Sequence, residues 1–338
     1  MLSIDPLKYI PVEIMQFLTK EYRSSSLGLI GCRGNQESHP CCEFDIITTG
    51  LSESISRKNI AGHFLNLYLI NEELSKNLRK EELYHFLHLR IISDGNFILA
   101  PLCERIERVG HEVIQKEFSL MRFIDSSSTI QKAKDAKERE ELLDSAFWTL
   151  SSGYALSESI ISSSGMSVHP THLLDMLKRQ MTKIDGLSAD PLYQCLGLVG
   201  VTKTSLNRRM RGLDSLILST LQVQQGTPES IYLWIKLIKR KINWMMDSHM
   251  VSQAHNYLGY EFVRNIEMIY SSYCNANGIP PHHSRIISEI LENGERPYRI
   301  PTSILKMIDL RSDQDTIEKN LSFMISTLEK FKSKMFQK

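Results

Sequence analysis

The first 125 residues contain short apolar runs separated by polar turns, a pattern that favours strands and short helices joined by loops. The predicted strands are 27–30, 43–48 and 64–70, and the predicted helices are 11–22, 72–90 and 102–122. Asp94-Gly95 stands between two further apolar runs, 90–93 and 96–100, and Asp-Gly in such a place predicts a β-hairpin.

The remainder of the chain has a different pattern, since strand signals stop near residue 126 and helical periodicity dominates. The segment 126–129 is predicted as a linker, and the charged run 132–141 as the solvated face of a helix. Thr227-Pro228-Glu229 predicts a helix start, because threonine caps and proline suits the first turn. Helix breaks are expected at glycines that include Gly186 and Gly226, and a loop at His282-His283.

This pattern predicts an α+β protein with two domains. Residues 1–125 are expected to form a mixed-sheet domain, and residues 126–338 a mostly α-helical domain. A chain of 338 residues is long enough for two such domains.

Composition narrows the class of protein further. Hydrophobic residues make up 42% of the chain and charged residues 23%, as in soluble globular proteins. The net charge of +1 provides no global attraction to nucleic acid or membrane. The six cysteines are irregularly spaced, the start of the chain lacks the pattern of a signal peptide, and no apolar run is long enough to span a membrane. We therefore expect a cytoplasmic protein that does not interact with membranes.

The most informative segment is a glycine turn followed by an acidic strand. Gly31 ends an apolar run and Gly34 follows it closely, so backbone N–H groups can approach a phosphate there. Glu43 and Asp45 are separated by one residue, which places both carboxylates on the same side of a strand. Two carboxylates in this arrangement can bind Mg²⁺ and stabilise the oxygens of a phosphoryl group.

These residues resemble the signature of nucleotidyltransferases of the polymerase β superfamily, of the small prokaryotic type. The matching residues are Ile30-Gly31-Cys32, a spacer over 33–42, and Glu43-Phe44-Asp45-Ile46. The resemblance implies a nucleotidyltransferase-like mixed-sheet domain that carries Mg²⁺ on Glu43 and Asp45. It also implies a nucleoside triphosphate held against the turn formed by Gly31, Cys32, Arg33 and Gly34.

Three positions depart from the family pattern. Cys32 stands where glycine or serine is usual, and Glu43 stands where aspartate is usual. Asn66 occupies the place of the third family carboxylate, which often deprotonates the attacking hydroxyl. An amide can ligate a metal but cannot accept a proton at neutral pH. A shifted strand would allow Glu72, Glu73 or Asp94 to supply the missing acid.

Alternative interpretations apply to each candidate residue. Glu43 could be solvated with Asp45 capping a turn. Cys32, His39, Cys41 and Cys42 could bind zinc, although buried thiols are the more common outcome. Arg105 with His111 could cleave RNA as in helical HEPN ribonucleases, although an exposed arginine and a helix-surface histidine are more common.

Two basic groups could contact phosphates, although solvated helix faces are more common. They are Lys203 with Arg208, Arg209 and Arg211, and Lys236 with Lys239, Arg240 and Lys241.

Two functional hypotheses follow from the resemblance. The first is an Mg²⁺-dependent nucleotidyltransferase that uses Glu43, Asp45 and Asn66 to move a nucleotidyl group from a nucleoside triphosphate to a hydroxyl acceptor on RNA, protein or a small molecule. The second is a catalytically inactive descendant that binds nucleotide or protein. A third hypothesis assigns the main role to the helical half as a partner-binding surface.

Overall fold

The computed structural model describes residues 8, 10–35, 38–183, 188–219, 221–223, 227–280, 285–292, 294–308, 310 and 312–336. These residues form two compact units. Unit 1 comprises the described parts of 1–118 and 225–244, and unit 2 those of 119–224 and 245–338. Within the described ranges, no helix has the length and apolar character required to cross a membrane.

Unit 1 contains a five-stranded mixed sheet. Its strands are β1 Ser26–Ile30, β2 Phe44–Thr48, β3 Ile55–Ile60, β4 His63–Leu69 and β5 Arg90–Asp94. The strand order across the sheet is β3-β4-β2-β1-β5. β2 and β4 are parallel, and the other neighbouring pairs are antiparallel. The expected α+β class with a mixed sheet is therefore confirmed.

The helices of the described chain follow in sequence order. They are α1 Val12–Glu21, α2 Gly31–Gly34, α3 Glu72–Asn77, α4 Leu99–Val109, α5 His111–Glu138, α6 Leu142–Ser163, α7 Leu173–Met181, α8 Asp190–Cys195, α9 Lys203–Ser219, α10 Pro228–Asp247, α11 Val251–Asn277, α12 Ile286–Glu292, α13 Thr302–Ile308 and α14 Gln314–Phe336. The start of α10 is confirmed, since the Thr227 hydroxyl accepts a hydrogen bond from the Ser230 N–H at 3.2 Å. The breaks expected at Gly186 and Gly226 and the loop at His282-His283 lie outside the described residues.

The core of unit 1 determines which residues of β2 are available for chemistry. Ile14 and Leu18 of α1 are fully buried against a cluster that includes Leu29, Ile46 and Leu67 of the sheet. Because side chains alternate along a strand, Ile46 faces this core and Asp45 faces the opposite side of the sheet. The apolar packing of one face thus presents the acidic position on the other.

The predicted hairpin at Asp94-Gly95 is wrong. Asp94 ends β5, and its carboxylate accepts hydrogen bonds from the N–H groups of Ile98, Leu99 and Ala100 at 2.8–3.1 Å. It therefore satisfies the first N–H groups of α4, which replaces the expected second strand. The hairpin of the sheet is instead formed by β3 and β4, and β3 escaped prediction.

The segment 126–129, expected as a linker, lies within α5, as does the boundary expected between 125 and 126. Ser126 is fully buried, and its hydroxyl donates to the backbone oxygen of Ser152 on α6 at 2.9 Å. Similar contacts join Ser119 to Ser159, and Ser145 to the backbone of Ala133. Along α5 these contacts recur every seven residues, so small residues form a close helix–helix seam in unit 2.

Candidate active site

Asp45 and Asn66 lie side by side in the sheet. They are direct neighbours in the parallel pairing of β2 with β4, so their side chains lie on the same face. The Asn66 amide nitrogen donates to Asp45 Oδ1 at 2.9 Å, and the Tyr68 hydroxyl donates to the same oxygen at 3.3 Å. Two donors thus orient the Asp45 carboxylate and occupy one of its oxygens.

The second oxygen of Asp45 lies against the glycine turn. β1 pairs Ile30 with Asp45 and then runs into the short helix α2 at Gly31. Gly31 has a φ of +71°, and a Cβ atom at this position would stand 2.5 Å from Asp45 Oδ2. The turn and the acidic strand therefore meet at the Asp45 carboxylate.

Glu43 forms an ion pair with Lys241. The Lys241 Nζ atom lies 2.8 Å from Glu43 Oε1 and 2.7 Å from Oε2, so one ammonium contacts both oxygens. The side chain of Lys241 is 5% exposed and that of Glu43 is 14% exposed. Lys241 belongs to the part of α10 that lies within unit 1. The first of the two expected metal ligands is thus already neutralised by a buried cation of the chain itself.

The position of Lys241 is fixed by further contacts between α10 and the rest of unit 1. The Arg57 guanidinium of β3 lies over the Trp234 ring, with its carbon 5.0 Å from the ring centroid. His39 stacks on Trp244 with ring centroids 4.6 Å apart. Arg240 donates hydrogen bonds to the backbone oxygens of Gly62 and Pro40. These contacts span the same stretch of α10 as Lys241, which limits how far its ammonium can move away.

Arg33 binds the backbone at the start of the acidic strand. Its guanidinium donates to the backbone oxygens of Cys42 and Glu43 at 2.7–3.2 Å and lies 4.0 Å from the centroid of the Phe44 ring. Gly34 is buried, and a Cβ there would stand 2.6 Å from the backbone oxygen of His88. Both residues therefore hold the turn in place.

The cysteines of this region form a buried cluster. Cys32, Cys41 and Cys42 pack together with Trp244 inside unit 1. The pKa of the Cys32 thiol is raised well above its usual value, first by a hydrogen bond with Cys42 and then by burial, and the pKa of Cys41 is raised for the same reasons. These groups are consequently held as neutral thiols.

The electrostatics of the site are dominated by burial. The pKa of Asp45 is raised to about 7, first by burial and then by the neighbouring Glu43 carboxylate. The hydrogen bond from Asn66, the Lys241 charge and the hydrogen bond from Tyr68 lower it. At neutral pH the carboxylate of Asp45 is therefore close to its midpoint of ionisation.

These residues, as arranged, do not fit a resident Mg²⁺ ion. Mg²⁺ needs anionic oxygens in near-octahedral geometry. Both Glu43 oxygens contact the Lys241 ammonium, and Asp45 Oδ1 already accepts two hydrogen bonds. Among the described residues, Asp45 Oδ2 is the one oxygen of Glu43 and Asp45 that contacts neither a cation nor a hydrogen-bond donor.

The other acids considered from the sequence have separate roles. Glu72 is exposed and pairs with Lys76 on α3, and Glu73 is exposed in the first turn of the same helix. Asp94 caps α4 as described above. The residue beside Asp45 on the neighbouring strand is an amide, Asn66.

Arg105 and His111, considered from the sequence as an RNA-cleaving pair, each contact other residues of the protein. Arg105 donates to the backbone oxygens of Ser75, Lys76 and Leu78. His111 lies 3.5 Å from Glu107, one turn earlier along the chain.

Two of the basic residues considered for phosphate contacts are buried. Arg209 is 5% exposed, and its guanidinium lies 3.2 Å from His255 Nδ1 in unit 2. Lys241 forms an ion pair with Glu43, whereas Lys236 on the same helix is exposed. The second basic cluster therefore consists of residues with different environments.

Sequence reasoning missed the pairing of Lys241 with Glu43. A signal was available, because Ile231, Ile235, Ile238 and Ile242 mark one buried stripe of α10 while Ser230, Leu237 and Lys241 mark a second. A helix buried over so wide an arc places its lysine among buried groups, where an acidic partner is needed.

Comparison with known proteins does not assign the chain to a family. No protein-family model matches it, and no curated protein matches it.

Proposed function

We propose that unit 1 is a nucleotidyltransferase-fold module that has lost nucleotidyl transfer and acts by binding a nucleotide or a protein. The observation that carries this proposal is the ion pair between Lys241 and Glu43. The Lys241 ammonium contacts the Glu43 carboxylate, which the family resemblance assigns to the metal. A site with its own permanent cation has less need for Mg²⁺.

The energetics of the ion pair support this proposal. Removing one partner of a buried ion pair leaves an uncompensated charge, which costs about 3–5 kcal/mol. A metal that takes Glu43 would create this situation for Lys241, whose side chain is almost fully buried. The metal would have to offset that cost and its own dehydration. This competition favours the unmetallated arrangement.

The identity of residue 66 gives independent support. Asn66 lies beside Asp45 in the register and donates a hydrogen bond to it. A carboxylate there could accept the proton of an attacking hydroxyl, whereas an amide has no such capacity at neutral pH. The arrangement retains the donors and acceptors of a binding site without a third acid.

Binding of a nucleoside triphosphate can be tested separately from its turnover. Calorimetry with ATP in the presence and absence of Mg²⁺, together with a label-transfer assay, should be carried out on the full chain and on Lys241→Met. We expect no label transfer by the natural chain and no dependence of binding on Mg²⁺. Label transfer that requires Mg²⁺ and disappears in Asp45→Ala would overturn the proposal. A chain that binds no nucleotide would leave protein binding as the function to test, by capture of partners with the isolated full chain.

A second candidate is catalytic Mg²⁺-dependent transfer to a hydroxyl acceptor on RNA or protein. It is favoured by Asp45 Oδ2, which has no hydrogen-bond partner among the described residues and lies beside Gly31. This candidate requires Lys241 to leave Glu43 when the triphosphate binds. The same label-transfer assay decides between the two candidates.

A further inference from the structure

Unit 2 contains a cavity of about 460 Å³ between three long helices. It is lined by residues of α5, α6 and α11 and by Ile286 of α12, and all of its lining residues belong to this unit. The volume lies within the range of roughly 300–1,000 Å³ that is typical of small-molecule sites. Helix bundles form ligand sites in this way, from side chains of facing helices.

The lining is polar where helix packing alone would favour apolar residues. Lys132 of α5 and Glu267 of α11 line the cavity together with the rings of Trp148, Tyr154 and Tyr260. Tyr154 is fully buried. Lys132 and Glu267 are partly buried, and charges that are partly removed from water are stabilised by a partner of opposite charge.

Part of this lining is internally satisfied. Arg122 pairs with both Glu158 and Asp125, and the Tyr260 hydroxyl donates to Glu158 at 2.9 Å. These groups form a closed network that fixes one wall of the cavity. Arg122 and the two carboxylates each have a partner of opposite charge within the protein, and together they carry one net negative charge.

Lys132 and Glu267 retain unused hydrogen-bonding capacity. The Lys132 ammonium lies 4.4 Å from the centroid of the Trp148 ring and makes no ion pair with the part of the chain that the structure describes. Glu267 Oε1 accepts a hydrogen bond from the Ser151 hydroxyl at 2.7 Å, and Oε2 has no partner among the described residues. Besides the exposed Arg264, which also lines the cavity, the lining therefore presents one cation with free donors and one carboxylate with a free acceptor.

Burial affects both groups in the way expected for charges removed from water. It raises the pKa of Glu267 and lowers the pKa of Lys132. In each case burial disfavours the charged form, and the attraction between Lys132 and Glu267 opposes that effect. A ligand that places an opposite charge beside each group would favour the charged forms further.

We propose that this cavity binds a small zwitterion of the α-amino-acid class. Lys132 would donate to the carboxylate of the ligand, Glu267 would accept from its ammonium, and the aromatic rings would contact its side chain. This proposal is independent of the function proposed for unit 1.

The balance of charges favours a zwitterion over an ion of one sign. A phosphate would meet Lys132 but also the free oxygen of Glu267, and an organic cation would meet Glu267 but also Lys132. A zwitterion satisfies both groups at once. The face of Trp148 already holds an ammonium, which demonstrates that the ring provides a favourable surface for such a group.

The test uses the full chain and the twenty L-amino acids as individual probes. Thermal shift identifies binders, and calorimetry then measures their affinity for the natural chain. Each binder is compared with its decarboxylated amine, and inorganic phosphate serves as the anionic probe. We expect at least one amino acid to bind and to lose affinity when either of its charged groups is absent.

Variants locate the binding site. Glu267→Gln and Lys132→Met should each weaken binding roughly tenfold or more, because each removes a charge-assisted hydrogen bond. Glu138→Gln and Lys116→Met alter exposed residues of α5 and should leave binding unchanged. Circular dichroism verifies that each variant is folded. The proposal is overturned if no amino acid binds, if phosphate or the amine binds equally well, or if both cavity variants bind as tightly as the natural chain.

Discussion

Gly31 and Asp45 approach each other so closely that a Cβ atom on Gly31 would stand 2.5 Å from Asp45 Oδ2. Gly31 also has a φ of +71°, a conformation that residues with a side chain rarely adopt. The position therefore requires glycine for two separate reasons. One reason concerns the backbone of the turn, and the other concerns the carboxylate that the turn adjoins.

Replacing Gly31 by alanine should lower the free energy of unfolding by about 2–4 kcal/mol, as the sum of backbone strain and the clash with Asp45. Gly62→Ala is the matched control, because Gly62 has a φ of +84° and nothing lies within 4 Å of its would-be Cβ. The control should lose only the backbone contribution, about 1–2 kcal/mol. Urea denaturation measures both values. Equal losses at the two positions would contradict the proposed contact with Asp45.

The strands that carry the candidate site could be predicted because each contains a short run rich in apolar residues. β1, β2 and β4 each have such a run, and the glycine turn and Asp45 follow from their order. β3 could not be predicted in this way, because Arg57, Lys58 and Asn59 make it polar. Its place in the sheet is provided by pairing with β4, which is a property of the assembled sheet.

The contacts of the site residues could not be predicted from the local sequence, because they depend on more distant parts of the chain. Asp94-Gly95 has the composition of a hairpin, but Asp94 caps α4 instead, since its carboxylate accepts three N–H groups. Lys241 lies 198 residues from Glu43 in the sequence. Composition and spacing within a short window do not report a pairing over that separation.

Removing the charge of Lys241 should destabilise the protein. Lys241→Met leaves the Glu43 carboxylate without its cation in a largely buried position, and we expect a loss of about 3–5 kcal/mol. The double variant Glu43→Leu/Lys241→Met should be more stable than Lys241→Met alone, because no unpaired charge remains. Lys236→Met, on an exposed position of α10, should change the stability by less than about 0.5 kcal/mol.

Urea denaturation in buffer with a chelator measures these differences without contributions from metal ions. A Lys241→Met variant as stable as the natural chain would contradict the structural role of the ion pair. Glu43→Leu completes the cycle, and a double variant that loses the sum of the effects of Glu43→Leu and Lys241→Met would contradict the coupling between Glu43 and Lys241.

The stability of the protein should depend on pH through Asp45. The pKa of Asp45 is raised from 3.8 to about 7, chiefly by burial, so the folded chain holds a proton that the unfolded chain releases in this range. The stabilisation from this proton is complete below about pH 4 and is lost as the pH rises to about 7. Asp45→Asn removes this titration.

The free energy of unfolding of the natural chain, minus that of Asp45→Asn, should therefore fall between about pH 4 and pH 7. Chemical denaturation at intervals across this range measures the difference, and contributions from other titrating groups common to both chains cancel. A difference that stays constant, or that rises with pH, would contradict the raised pKa of Asp45.

The close seam between α5 and α6 in unit 2 leads to a prediction about Ser126. Its hydroxyl donates to the backbone oxygen of Ser152 and lies 2.8 Å from the Ser152 hydroxyl, in a fully buried position. Ser126→Ala should cost about 1–3 kcal/mol through the lost buried hydrogen bond. Ser126→Leu should cost more, because the added carbons must fit where the two helices are in contact. Ser127→Ala is the control, since the partner of the Ser127 hydroxyl among the described residues is the backbone oxygen of Phe123 in its own helix, and its effect should stay within about 0.5 kcal/mol. Thermal and urea denaturation measure the three variants, and a Ser126→Leu variant as stable as Ser126→Ala would show that the seam has room that these distances exclude.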